Sequence, residues 1–270
     1  DTVPILERFA TLDGNSADIS LLLSESLSQA NRNEEALTLL HRLLKNNPRL
    51  AKAHFQRAVI LRLQKKTKNA MAAMRLSVTH NPKNAVAWQL LADLSHDVHG
   101  DASMIGVLRE GLGHNPTNPR LLLGVGSLGY SERQVHVAQE MFTRLIARYP
   151  NNTIALSNAA LASLDLGEAP DKAQALLNRA IRIAPNVPAI ADTWAWMLHK
   201  TGKSAEAVRL LLKVAKAIPN DGGVQYHLGV AYIGIDQPGR SRAAFRRALA
   251  LGVPKHYKDD IVKRLTEKAK

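Results

Sequence analysis

The chain of 270 residues contains no cysteine. That excludes disulfide scaffolds, thiolate metal sites, thiol nucleophiles and cysteine lipidation within this segment. It does not fix the compartment, because a periplasmic protein can do without disulfides. Aromatic residues make up only 4%, which argues against a β-sandwich or barrel, whose strands draw on them. No apolar run approaches the roughly 20 residues of a membrane span; Leu21-Leu22-Leu23 and Leu121-Leu122-Leu123 are far shorter. A Walker-type phosphate loop, a GxSxG elbow and an HExxH pair are all missing. The chain begins at Asp1 rather than Met, so it reads as a processed or excised segment of a longer protein, silent about any leader.

What is present looks ordinary in bulk, with 46% hydrophobic and 22% charged residues. By length alone the chain divides into about two domains. A period overrides that division. Pro48, Pro82, Pro116, Pro150, Pro185 and Pro219 are spaced by 34 residues, once by 35. Proline disfavours helix at the preceding residue, so each marks a helix end. A second comb, Ala36, Ala70, Met104, Ala138, Ala173, Ala207 and Ser241, runs 12 residues ahead of the prolines. Four residues further on stand Leu40, Met74, Leu108, Phe142, Leu177, Leu211 and Phe245, all large and apolar. A third comb is uniformly small: Ser24, Ala58, Ala92, Gly126, Ala160, Ala195 and Gly229. Small residues at a fixed point let two helices approach, and the large residue of the partner helix fills the adjoining space.

Together these combs resemble the tetratricopeptide repeat, a 34-residue helix-turn-helix unit. The resemblance implies an all-α, right-handed solenoid of about seven units: 17–50, 51–84, 85–118, 119–152, 153–187, 188–221 and 222–255. The extra residue of the fifth unit fits the turn near Gly167. Trp88 matches the family's aromatic at the fourth position, while Ser20, His54 and Gln225 depart from it. Gly111, Gly113, Gly124 and Gly129 are surplus to the pattern; they fit either close packing, which is favoured, or a joint. Residues 1–16 are expected to cap one end, with Ile5, Leu6 and Phe9 inward. Residues 256–270 are expected to form a capping helix with Tyr257, Ile261 and Leu265 on one face.

In this family the first helix of each unit lines a concave groove. Carried onto this sequence, the groove-facing positions hold Phe55, Asp93, His96, Asp97, Tyr130, Asp165, Asp192, Trp196, His199 and Tyr226. Aromatic anchors beside fixed charges suit capture of a protein or peptide segment, although Phe55 and Trp196 fit an inter-helix seam equally well. The carboxylate clamp of chaperone-binding members is absent, since no Asn occupies the ninth position of any unit. The asparagine ladder of the sugar-transferase members is also absent, with only Asn158 in place. The segment from Ala191 to Tyr232 resembles bacterial envelope members linked to exopolysaccharide secretion, which implies a periplasmic location, with the cytoplasm as the alternative.

Net charge is +13, and it is uneven. No acidic residue occurs from Ala36 to Ala92, where eleven basic ones do. The segment from Arg240 to Lys270 carries a net charge of +7. A basic patch of Lys52, Arg57, Arg62, Lys65, Lys66 and Lys68, with Arg240, Arg242, Arg246 and Arg247, would attract a polysaccharide, a nucleic acid or a membrane surface. A solvated basic exterior accounts for it too, and no nucleic-acid motif accompanies it. The cluster Asp93, His96, Asp97, His99 and Asp101 lacks a His pair at i, i+4 and reads as helix-end polar residues rather than a metal site. No cofactor, metal or catalytic residue is expected; the chain reads as a non-catalytic scaffold in a multiprotein complex.

Overall fold

The computed structural model describes residues 2–12 and 16–267. Among them lie sixteen α-helices and no strand. They form two compact units, Asp1–Leu121 and Leu122–Lys270. The first holds α1 (Val3–Leu12) and the pairs α2 (Ala17–Gln29) with α3 (Asn33–Asn46), α4 (Ala51–Leu63) with α5 (Thr67–His80), and α6 (Ala85–His99) with α7 (Asp101–His114). The second pairs α8 (Pro119–Ser131) with α9 (Val135–Arg148), α10 (Thr153–Asp165) with α11 (Pro170–Ile183), α12 (Pro188–Lys200) with α13 (Ser204–Ala217), and α14 (Gly222–Ile233) with α15 (Pro238–Leu251). It ends with α16 (Lys255–Glu267). First helices pack on their own partners, as α10 does on α11, and α2, α10 and α12 also meet the first helix of the next pair. The seven helix pairs with terminal helices have the expected all-α repeat architecture.

The combs acquire physical roles here. All six periodic prolines lie between a second helix and the next first helix. Two residues after four of them, Asn84, Asn118, Asn152 and Asp221 accept a hydrogen bond from the backbone N–H three positions on, capping the helix that follows. Inside the pairs, the turns place Asn31, Lys65, Arg133, Gly167, Gly202 and Asp236 in the left-handed region, a fourth comb. The small comb faces the large one: a Cβ on Gly126 would stand 2.6 Å from the Phe142 ring, and one on Gly229 would overlap Phe245. Gly111 packs against Trp88 in the same way, whereas nothing stands near Gly113; close packing explains the first, and the structure does not explain the second.

His54 departs from the family pattern in identity but not in bonding. Its Nε2 lies 2.9 Å from the Pro48 carbonyl, and Trp88 Nε1 donates to the Pro82 carbonyl at 2.9 Å. Both tie a first helix to the turn before it. Each ring also meets a histidine of its own pair, His80 at 5.6 Å and His114 at 5.7 Å.

The N-terminal helix corrects one expectation. Val3 is buried and Leu6 packs beside it on Leu21, Leu23 and Leu27, but Ile5 is 59% and Phe9 53% exposed. Residues three apart share a helix face, so Val3 and Leu6 turn inward together. Ile5 and Phe9, four apart, share a different face.

Candidate functional site

In the first unit, α2 and α4 place groove-facing side chains around an open pocket of about 700 Å³. Leu21, Leu22, Phe55, Val59, Ile60 and Leu63 supply its apolar lining. Leu63 is 63% exposed and Leu22 53%, so these side chains offer apolar area to a ligand. Asp18 and Glu25 stand on α2 and Lys52 on α4. Gln56 is not free to grip a ligand with its whole amide, because Ser24 donates to its Oε1 at 2.6 Å and its Nε2 donates to the Leu21 carbonyl at 3.2 Å. Phe55 is half-buried here; Leu22, Val59 and Leu63 were missed because selection by residue type favoured aromatics and charges.

The second unit brings together Tyr130, Asp165, Asp192, Trp196, His199 and Tyr226, but not around an open groove. Trp196 is 4% and Tyr226 6% exposed. Helix α16 covers them. Tyr257 stacks on Tyr226 at 3.9 Å between centroids, and Tyr226 donates to Asp260 at 3.0 Å. Trp196 Nε1 donates to Asp165 at 2.9 Å, and its ring lies 4.5 Å from His227. His199 stacks on Trp196 and meets the Ser204 hydroxyl at 3.0 Å; burial lowers its pKa.

Through the middle runs a chain of hydrogen-bonding groups. His227 Nδ1 lies 2.9 Å from Asp192, and its Nε2 lies 3.0 Å from the Tyr257 hydroxyl. That hydroxyl is 2.6 Å from the Tyr130 hydroxyl, which donates to Asp165 at 2.5 Å. Four contacts need four protons, and the two hydroxyls supply only two. The chain closes when both nitrogens of His227 carry a proton, with a carboxylate at each end. Burial, the largest influence, opposes that charge, but Asp192 together with Asp165 and Asp221 outweighs it and the His227 pKa is raised. Burial foremost, and then Asp165 for Tyr130 and Tyr130 for Tyr257, raises the pKa of both phenols.

Elsewhere, Asp93 accepts from Gln89 at 3.2 Å, while His96 is half-exposed, 3.2 Å from Asp101 and 3.7 Å from Asp97. No group of three such side chains is placed to hold a metal ion among the described residues. Of the basic residues, Lys52 lines the first-unit pocket and Lys66 sits 3.7 Å from Glu34. Arg62, Lys65, Lys68, Arg240, Arg242, Arg246 and Arg247 are exposed and Arg57 half-buried. No helix among the described residues is long and apolar enough to cross a membrane.

A tetratricopeptide repeat model matches residues 21–85 and 108–188, more than half of the chain. The chain belongs to the tetratricopeptide repeat family. A TPR repeat-containing protein of Pseudomonas aeruginosa is 30% identical over 122 residues, 45% of this chain and 20% of that protein. The tetratricopeptide chain therefore matches about a fifth of that relative's length. A tetratricopeptide repeat protein from Parabacteroides merdae shares the fold at a TM-score of 0.63 and 17% identity, over 92% of this chain and 97% of that one. YrrB, described as a TPR protein with an unusual peptide-binding site, gives 0.53 at 17% identity over 68% and 95%. At these identities the likeness is one of fold.

Relative to the repeat register, the residues that reasoning from sequence missed are His227, Tyr257, His256 and Asp260. His227 sits one position after a groove-facing one, beside Tyr226. The other three lie in the terminal helix, where the heptad-like spacing of Tyr257, Ile261 and Leu265 showed an apolar face without showing what it covers.

Proposed function

We propose that this chain is a non-catalytic scaffold that holds a segment of a partner protein on the concave face of its first unit. The observation that carries this reading is the open pocket whose apolar side chains, Leu22, Phe55, Val59 and Leu63, no helix among the described residues of the first unit covers. Burying that face supplies affinity, and Asp18, Glu25 and Lys52 at its edge set the register. An apolar segment flanked by a basic residue on the α2 side fits this charge order. Resemblance of residues 191–232 to envelope members supports placing the work in a bacterial envelope assembly that exports exopolysaccharide. The test is selection from a displayed peptide library. Peptides enriched on the unaltered chain should lose at least tenfold in affinity on Phe55→Ala with Leu63→Ala, with helical circular dichroism unchanged. Equal affinity on the altered and unaltered chains overturns the reading.

A second reading has its own observation. Arg62, Lys65, Lys68, Arg242, Arg246 and Arg247 are exposed and take part in no ion pair among the described residues. Unpaired, exposed cations of this kind bind polyanions by releasing counterions.

A further inference from the structure

Helix α16 does more than shield the last helix pair. A cap needs only to cover α14 and α15 with an apolar face. Here its polar side chains reach back along the unit. Lys255 lies 3.7 Å from Glu132, and Arg133 donates to Asp259 at 2.9 Å, both at the turn after α8. Tyr257 meets Tyr130 of α8 and His227 of α14; His256 Nε2 lies 4.0 Å from Asp165 of α10. Asp260 accepts from Tyr226 of α14. Tyr130, Asp165 and Tyr226 are groove-facing positions of three different helix pairs, so α16 lies along the groove register and not only over the end of the stack.

The fit is incomplete. A space of about 370 Å³ remains beside Tyr130, Asp192, His227 and Tyr257, and one of about 400 Å³ remains beside Arg133, Trp196, Tyr226 and Asp260. Both ring nitrogens of His256 are buried and make no hydrogen bond of good geometry among the described residues. The tether to α15 is three residues, 252–254, starting at Gly252 in the left-handed region (φ 86°). Among the described side chains of α16, Tyr257 and Ile261 are fully buried. A helix that buries only a few side chains, leaves space on two sides and is joined by a short irregular link is an occupant that can leave without unfolding the pairs beneath it.

We propose that the concave face of the second unit is a helix-binding site kept filled by α16, and that its partner is a helix of another protein with the chemistry of α16. That chemistry is a tyrosine whose hydroxyl reaches His227, an aliphatic residue four positions later, and carboxylates between them facing Arg133 and Tyr226. The site is separate from the pocket of the first unit and does not depend on what that pocket binds. Because α16 competes at high local concentration, the partner gains affinity by whatever weakens α16.

Two measurements test this on the full chain. In native-state hydrogen exchange, the amides of α16 are expected to exchange as a block at least tenfold faster than those of α14. Equal protection of α14 and α16 overturns the proposal, because α16 would then be an integral layer. In the second, a fluorescent peptide of residues 254–267 is titrated against three forms. It is expected to bind Tyr257→Ala with Asp260→Ala at least tenfold more tightly than the unaltered chain. It is expected not to bind Arg133→Cys with Asp259→Cys once a bifunctional thiol reagent bridges them, a reagent with no other cysteine to attack. Binding that is indifferent to the bridge, or absent from the folded double-alanine variant, overturns the proposal. If that variant does not fold, exchange on the unaltered chain decides. A concentration-dependent dimer that swaps α16 would make a second copy the occupant and overturn the assignment to another protein.

Discussion

The hydrogen-bonded chain under α16 makes a signed prediction about pH. Four contacts link Asp192, His227, Tyr257, Tyr130 and Asp165, and the protonated ring satisfies all four. Deprotonating His227 removes one proton, so one contact loses its hydrogen and two buried oxygens or nitrogens face each other. A buried hydrogen bond that involves a charged group contributes about 1.5–3 kcal/mol, roughly a ten- to hundredfold change in an opening equilibrium. The folded pKa of His227 is raised by Asp192 against the effect of burial, with Asp165 and Asp221 adding to it. Its stabilisation is therefore complete below the unfolded value of about 6.5 and is lost as pH rises through the folded pKa. His199 and His256 are lowered, chiefly by burial; their effect falls below about pH 6.5, where stability declines as pH falls. Tyr130, Tyr226 and Tyr257 are raised, so they act only above the ordinary tyrosine range, near 10. The window from about pH 6.5 to 9 thus isolates His227 among the groups facing the chain. Opening of α16, read by amide exchange corrected for intrinsic rates, should become easier as pH rises through the folded pKa of His227, by no more than about 1.5–3 kcal/mol, and Tyr257→Phe should flatten the change. An opening free energy independent of pH, or an unchanged slope in His227→Phe, refutes the proton count.

Three further outcomes follow from packing, turn geometry and charge. Gly229→Val would drive a side chain into Phe245 and should destabilise the second unit by about 1–3 kcal/mol, read as a lower urea midpoint, with Phe245→Leu in the same chain restoring part of the loss. Lys65 holds φ near 60°, a region that strains a side chain by roughly 1–2 kcal/mol, so Lys65→Gly should raise thermal stability by up to about 1 kcal/mol after the entropy of glycine is subtracted. Binding of dextran sulfate should collapse between low and moderate salt and weaken when Lys65, Lys66, Arg246 and Arg247 become Gln; affinity indifferent to salt would remove the polyanion reading.

The repeat architecture was legible because each comb records one steric demand made again every 34 residues. Phe142 against Gly126 and Phe245 against Gly229 are single contacts, yet the period turned them into evidence for a helix pair. Capping by Asn84, Asn118, Asn152 and Asp221 repeats in the same way. What occurs once left weaker marks. Ile5 and Phe9 looked as apolar as Val3 and Leu6, and only the rotation of α1 on α2 decides which pair is buried. His54 looked like a departure because residue type was compared, whereas its ring nitrogen makes the same bond to Pro48 that Trp88 makes to Pro82. The groove register picked out Tyr130, Asp165, Asp192, Trp196 and Tyr226, which the structure brings close together, but whether they line an open surface depends on where α16 lies. Nothing in the spacing of Tyr257, Ile261 and Leu265 distinguishes a helix laid over the end of a stack from one laid along its groove.

The two faces proposed as binding sites draw on the same register but present different chemistry. Leu21, Leu22, Phe55, Val59 and Leu63 present aliphatic and aromatic area with little directional bonding, and such a face accepts many apolar side chains at similar cost. Tyr130, Asp165, Asp192, Tyr226 and His227 present fixed donors and acceptors, buried and already committed to one geometry. A helix that lacks the tyrosine hydroxyl leaves His227 and Tyr130 unpaired, and an unpaired buried polar group is costly. On the proposal made above, the second face rejects most helices that the first would tolerate. Its occupation by α16 follows the same logic, since a face lined with desolvated polar groups needs a matching occupant before any partner arrives.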